Sequence, residues 1–376
     1  MPPKPFRAKP VGERHPFYGT FWLSQAPEAV LGLFENIHYG FVARSVVAVG
    51  ITSSVVYGGY SVWYRYQQTL PLAKRWNRLL GGTPCVVIDK YYDGEDIQIL
   101  RLKLPNSHDY AGYDPVSAVQ LRLGDTGTKL FFRGKRWFNP VSPPDARGYI
   151  ELAIRDHLAG IFYGDFARTR VGDVVYLHAW MKEFRYEPNT YESISLIAGA
   201  GSASVALQMM AAIDSNPKDK TQLRVMYFHP MLTNIPFQKS RFRQYVLRNP
   251  DRIKVQHHAF RPSKGWEGSY GSLTAEILKA FIAPPSTVRV PTWTEEFFKR
   301  CIAAVVPESW SEGTTRDAPI PGNRRVLVSI NRWTMDMLCG HSFNIENRYY
   351  IQPPRYRYSG IMQGMGYNNY EIYRFA

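Results

Sequence analysis

The chain has 376 residues, 45% of them apolar and 20% charged, a composition that suits two folded domains with tails and excludes wholesale disorder. Its formal charge of +15 suits an anionic membrane surface, an acidic partner or a nucleic acid. The basic residues are dispersed without long runs, which sets nucleic acid aside as a partner, and three widely spaced cysteines without a CxxC pair indicate neither a disulfide framework nor a zinc site.

Residues 1–40 form a basic, proline-rich arm. Pro2, Pro3, Pro5, Pro10 and Pro16 restrict it toward extended geometry, while Lys4, Arg7, Lys9 and Arg14 suit an acidic protein surface or lipid phosphate. The first 44 residues lack the apolar stretch of a cleavable secretory signal. Ser45 to Tyr64 then runs 20 residues without a charge, flanked by Arg44 and Arg65, and predicts a transmembrane helix within residues 41–66. Trp63 and Tyr64 stand where interfacial aromatics belong, and Gly50, Ser53, Ser54, Gly58 and Gly59 leave room for another helix to approach. The competing reading of the same residues is a buried soluble helix or strand, because β-branched residues are many. Residues 67–83 read as a linker.

From Pro84 the pattern changes to short alternating runs, CVVIDKYY, IQILRLKL, AVQLRL and KLFFRG, punctuated by Gly, Asp and Pro. Alternation at period two predicts an antiparallel β-barrel over residues 84–188. After Tyr191 strands alternate with helices: SISLIAG leads through a glycine-rich turn into a helix, and LRVMYFH, IKVQHHAF and RVLVSI follow as further strands. This rhythm predicts an α/β layer with a parallel sheet over residues 189–376, interrupted by a surface insertion at 286–322. The expected fold is therefore multidomain α+β: a transmembrane helix, an antiparallel barrel and a nucleotide-binding-like α/β domain. His257-His258 and Cys339-Gly340-His341 lack the further ligands that a metal would require.

Several local sequences occur in a telling order. Arg136-Trp137-Phe138-Asn139-Pro140-Val141-Ser142 resembles the flavin motif Arg-x-Tyr-Ser/Thr-Pro-Val-Ser and is followed by the strand GYIELAIR; IAGAGSASVALQMMAAI resembles Ile-Ala-Gly-Gly-Thr-Gly-x-Thr-Pro and its helix. With Trp266, GSLTAEILKAFIAPP and the ending SGIMQGMGYNNYEIYRF, these make residues 80 to the end similar to the NADH-cytochrome b5 reductase branch of the ferredoxin-NADP reductase family. The resemblance implies that Arg136 meets the flavin phosphate, that Phe138 packs on the isoalloxazine and that Asn139 replaces a hydroxyl near N5. Gly160 then keeps the first position of a Gly-Lys-Met-Ser turn, whose Lys and Ser positions hold Ile161 and Tyr163. Gly199 and Gly201 remain in the nicotinamide-side turn, and Ser329 stands in place of the cysteine of Cys-Gly-Pro-Pro. A strand end packed on the core also explains the Arg136–Asn139 quartet, and tight strand-to-helix packing also explains the glycines.

Ile330 replaces a glycine where backbone must approach the nicotinamide ring, and a misplacement of about 1 Å at the reacting atoms slows hydride transfer on the order of a hundredfold. From these departures we expect no enzyme but an accessory, structural subunit of a complex in an energy-transducing membrane. The location expected is the mitochondrial inner membrane, with the soluble domains facing the matrix and with other membrane-complex subunits and lipid as partners. No cofactor is expected to be held, FAD being the one group the surviving residues can still take and NADH not being expected to bind. Two rival readings use the same residues: a membrane-anchored flavin reductase passing electrons from NADH to a haem protein, and a ribosomal or RNA-binding protein, which leaves the span without a role.

Overall fold

The computed structural model describes residues 39–75, 82–93, 97–123, 135–155, 168–199, 202–229, 239–262, 264–266, 268–289, 295, 298, 301–302, 316–340 and 360–375. The proline-rich arm, the KLFFRG run and most of the insertion lie outside them. The chain divides into two compact units, Met1–Gln68 and Thr69–Ala376.

The first unit is represented by helix α1, Tyr39–Thr69, which extends two residues before and three beyond the predicted span. Its segment Ser45–Thr69 has 25 residues, with a mean hydropathy of 1.3 over its best 18-residue window, long and apolar enough to cross a membrane. At 1.5 Å per residue it reaches about 37 Å, against a hydrocarbon core of about 30 Å. β-Branched residues are no obstacle here, because in lipid a helix satisfies every backbone group within itself. The hydroxyls follow the same rule: Thr52 donates to the Ala48 carbonyl and Ser54 to the Gly50 carbonyl, each at 2.8 Å.

In the second unit, strands β1 (Thr83–Tyr92), β2 (Ile97–Lys103), β3 (Ser117–Leu123), β4 (Lys135–Phe138), β5 (Tyr149–Arg155) and β6 (Val174–Lys182) form an antiparallel sheet in the order β4-β3-β6-β1-β2-β5. The antiparallel sheet is as expected; among the described residues its edges β4 and β5 meet at an isolated bridge, and a closed barrel is not seen. That bridge pairs Pro140 with Leu152, and the Val141 N–H donates to the Glu151 carbonyl beside it. Strand β2 shows why its sequence IQILRLK is apolar on both faces. Leu100 and Leu102 point into the sheet's own core with Val87, Ile150 and Leu152, whereas Ile97 and Ile99 join a cluster shared with the α/β layer.

That layer is a parallel sheet of β7 (Ser193–Gly199), β8 (Gln222–His229), β9 (Ile253–Ala259), β10 (Ser269–Tyr270), β11 (Arg324–Ser329) and β12 (Ile372–Arg374), in the order β10-β9-β8-β7-β11-β12. All seven residues of β7 are buried, as befits a central parallel strand covered on both faces. Helix α2 (Ala203–Ser215) joins β7 to β8, and α3 (Lys239–Arg248) joins β8 to β9. Helices α4 (Ala275–Phe281), α5 (Arg332–Cys339) and α6 (Ile361–Gly364) complete it. The Asn331 side chain accepts from the Thr334 N–H at 2.9 Å, so the Ser-Ile-Asn-Arg run after β11 is also the start of a capped helix.

Candidate functional site

The chain leaves β7 toward β8 on one side of the sheet, while β11 lies on the other, so the crevice beyond the carboxyl ends of β7 and β11 is the switch point where such sheets receive ligands. Register places Ser329 opposite Ala198, next to Gly199. Ser329 is buried and its hydroxyl donates to the Ser202 hydroxyl at 2.7 Å. Ser202 is the N-cap residue of α2 but makes no side-chain capping bond, so it leaves the first-turn amides of that helix uncapped. Ile330 is half-buried, and its Cγ1 lies 3.2 Å from the point a Cβ on Gly199 would occupy. Gly199 is thus the space into which Ile330 packs. Gly201 lies outside the described residues.

The flavin-type motif lies at the end of β4, with Arg136 opposite Leu121 and Phe138 opposite Val119. Arg136 is half-buried, whereas Phe138 is 5% exposed and belongs to the core of the antiparallel sheet, which leaves only an edge for a bound ring. The Asn139 amide donates to the Ser117 carbonyl at 3.2 Å and to a Glu183 carboxylate oxygen at 2.6 Å. Beyond Pro140, the Val141 N–H donates to the Glu151 carbonyl at 2.9 Å, and the Glu151 N–H donates to the Ser142 hydroxyl oxygen at 3.0 Å. These bonds fix the motif against β5. Gly160 lies outside the described residues.

Three groups at this junction were not read from the sequence. Gln208 of α2 bonds to the backbone at Ser117 and Pro140. Its signal was a lone amide within the apolar run SVALQMMAAI. Glu183, the partner of Asn139, had no signal. The third group is a charge cluster: Glu151 accepts from Arg101 at 2.7 Å and from Arg241 of α3 at 2.9 Å, and Arg241 also donates to the Val141 carbonyl at 3.2 Å and to the Tyr91 hydroxyl at 3.1 Å. Burial alone pushes the Glu151 carboxyl up, but the bonds and charges of Arg101 and Arg241 outweigh it and hold the group below the ordinary carboxylate range. At the far ends of β8 and β9, His229 and His257 share a hydrogen bond of 3.1 Å, and His258 is fully buried. Cys339 is buried, and burial pushes its thiol up to about 11, which removes it as a nucleophile near neutral pH.

The half-buried guanidinium of Arg136 at the end of β4 has the chemistry that a flavin phosphate requires, so this end fits FAD there, whereas both amide hydrogens of Asn139 are already given to Ser117 and Glu183. On the α/β side, the uncapped start of α2 suits a phosphate, and the bulk of Ile330 is taken up at Gly199.

Comparison with known proteins points the same way. Residues 84–186 match the model of an oxidoreductase FAD-binding domain. The chain is 29% identical over 218 residues to NADH-cytochrome b5 reductase 1 of Lodderomyces elongisporus, covering 54% of this chain and 70% of that protein. It is 27% identical over 198 residues to NADH-cytochrome b5 reductase 1 of Dictyostelium discoideum, covering 53% and 67%. In structure it is similar to the cytochrome b5 reductase domain of Ulva prolifera nitrate reductase, with a TM-score of 0.56, 16% identity and coverage of 78% and 97%. The expectation of a chain that is not an enzyme is overturned by these relatives, which are named as reductases, and so is the expectation that NADH does not bind.

Proposed function

For a chain that belongs to the cytochrome b5 reductase-like branch of the ferredoxin-NADP reductase family, we propose the function of a membrane-anchored flavin-dependent oxidoreductase that takes electrons from NADH and delivers them to a haem protein. The observation that carries this reading is the coincidence of the matched domain, 84–186, with the strands that present Arg136 and Asn139. When bound, FAD accepts a hydride and hands its electrons on one at a time. Arg136 would hold the flavin phosphate by charge-assisted bonds, and Asn139, bonded to Ser117 and Glu183, would fix the end of β4 beside the ring system. Gly199 and Ser329 stand at the proposed place of the nicotinamide, and the family pattern assigns Gly201 to that turn and Gly160 to the flavin pyrophosphate.

Helix α1 anchors the enzyme, in this proposal to the mitochondrial inner membrane with the soluble domains in the matrix. There residues 1–40 and the small-residue face of α1 contact other subunits of a membrane complex and lipid. The test is made on detergent-solubilised protein purified in the presence of FAD. It should carry the visible absorption band of bound flavin, bleach on anaerobic addition of NADH and then reduce a one-electron haem acceptor. Absence of flavin with FAD in excess refutes the proposal, and flavin that NADH does not bleach refutes its nicotinamide half.

A further inference from the structure

Helix α2 begins at the crevice, where its N-cap residue Ser202 meets Ser329, and runs from there against the antiparallel domain. Its buried residues are nearly all apolar. Gln208 is the one amide among them, at 3% exposure. Buried amides need partners, and each partner here is a backbone atom of the other domain. Oε1 accepts from the Ser117 N–H at 2.8 Å, and Nε2 donates to the Ser117 carbonyl at 3.0 Å and to the Pro140 carbonyl at 2.9 Å. Backbone partners cannot follow a moving helix by changing rotamer.

Two details tie this contact to the site. Pro140 is the residue after Asn139, and the Ser117 carbonyl that receives Gln208 also receives the Asn139 amide at 3.2 Å. One carbonyl therefore links α2 to the end of β4. We propose that Gln208 is a positioning residue, which sets the separation between the glycine-turn end of α2 and the flavin-motif end of β4. The consequence for catalysis rests on the function proposed above, since two cofactor halves must meet at near-contact for hydride transfer. The salt bridge between Arg241 and Glu151 also joins the domains, but it reaches β5 and the Val141 carbonyl and leaves the α2 contact to Gln208.

The test uses the full chain in detergent, with Gln208→Met to remove all three bonds at similar volume and Gln208→Glu to keep the acceptor while losing both donations. One arm needs no cofactor. Spin labels are placed at Val171→Cys on the antiparallel domain and Leu247→Cys on α3, both exposed, with Cys301→Ser to remove the exposed native thiol. With Gln208 intact the distance distribution should be narrow, and in either variant it should shift or broaden by about 1 Å or more. The second arm is rapid mixing of flavin-loaded protein with NADH. The limiting rate of flavin reduction should fall at least about tenfold in either variant, while the NADH Kd and the flavin content stay near those of the unaltered protein. An unchanged distance distribution together with an unchanged limiting rate overturns the proposal, even if thermal stability falls, because Gln208 then only holds the domains together. If the unaltered protein binds no flavin, the proposed function fails while the label distances still decide the role of Gln208.

Discussion

Arg241→Met removes the α/β side of the buried charge cluster and leaves Glu151 with Arg101. The lost bond is charge-assisted, 2.9 Å long, between side chains 27% and 4% exposed. Breaking a fully buried pair costs about 3–5 kcal/mol, and an exposed pair is worth under about 1 kcal/mol. With Arg241 a quarter open to water and Glu151 still paired to Arg101 at 2.7 Å, the expected coupling is about 2 kcal/mol, or about thirtyfold in the folding equilibrium. A double-mutant cycle of Arg241→Met and Glu151→Gln, read by urea unfolding of the solubilised protein, isolates that term. The folded-state pKa of Glu151 is lowered, so its contribution is fully present above the unfolded-state value and is lost as the pH falls through the folded value. The coupling should therefore be largest at neutral pH and fade in acid. A coupling below about 0.5 kcal/mol at neutral pH, or one that does not change in acid, refutes the reasoning.

His229 is held neutral, pushed down from 6.5 to about 4 by burial and then by the neighbouring His257 and His258. Between those values the unfolded chain takes up a proton that the folded one refuses, so stability should fall by about 3 kcal/mol as the pH drops through the window. His229→Phe should flatten that slope in thermal melts recorded at a series of pH values, and an unchanged slope counts against the assignment. Carbonate extraction should leave the protein in the membrane pellet, and Val55→Lys with Val56→Lys, two exposed residues near the middle of α1, should release it, since each lysine costs about 2.5–3.5 kcal/mol at a bilayer centre. Release of the unaltered chain would show that α1 does not span.

Much of the fold was legible because periodicity is a local property. The runs that became β7, β8, β9 and β11 were visible as apolar segments separated by helical stretches, and α1 was visible from its uncharged length. Strand β6 was not singled out, although VVYLHAWMK is largely apolar, because polar His178 and the bulky Trp180 obscure the alternation between partners on β1 and β3. The two-residue β10 and three-residue β12 are too short to show any period, and they exist because β9 and β11 offer them an edge. The bridge between Pro140 and Leu152 at the sheet's edges joins segments that no local pattern pairs.

The site was legible position by position and misread for the same reason. Ile330 in place of a glycine looks like an obstruction until Gly199 is found beside it, leaving space where a side chain would have stood. Ser329 and Ser202 both depart from the family pattern, and the two hydroxyls bond to each other. Asn139 stands where a hydroxyl is expected, and its two amide hydrogens go to the Ser117 carbonyl and the Glu183 carboxylate, where a hydroxyl would have one to give. Steric fit and hydrogen bonding belong to pairs of residues, and the second member of each pair lies 44 to 131 positions away in the chain, beyond the reach of any local pattern. Altered positions left to drift accumulate side chains without partners, whereas these three have each found one. Of these pairs, Ser329–Ser202 departs from the family pattern at both members, changing the lining of the crevice while keeping both hydroxyls hydrogen-bonded.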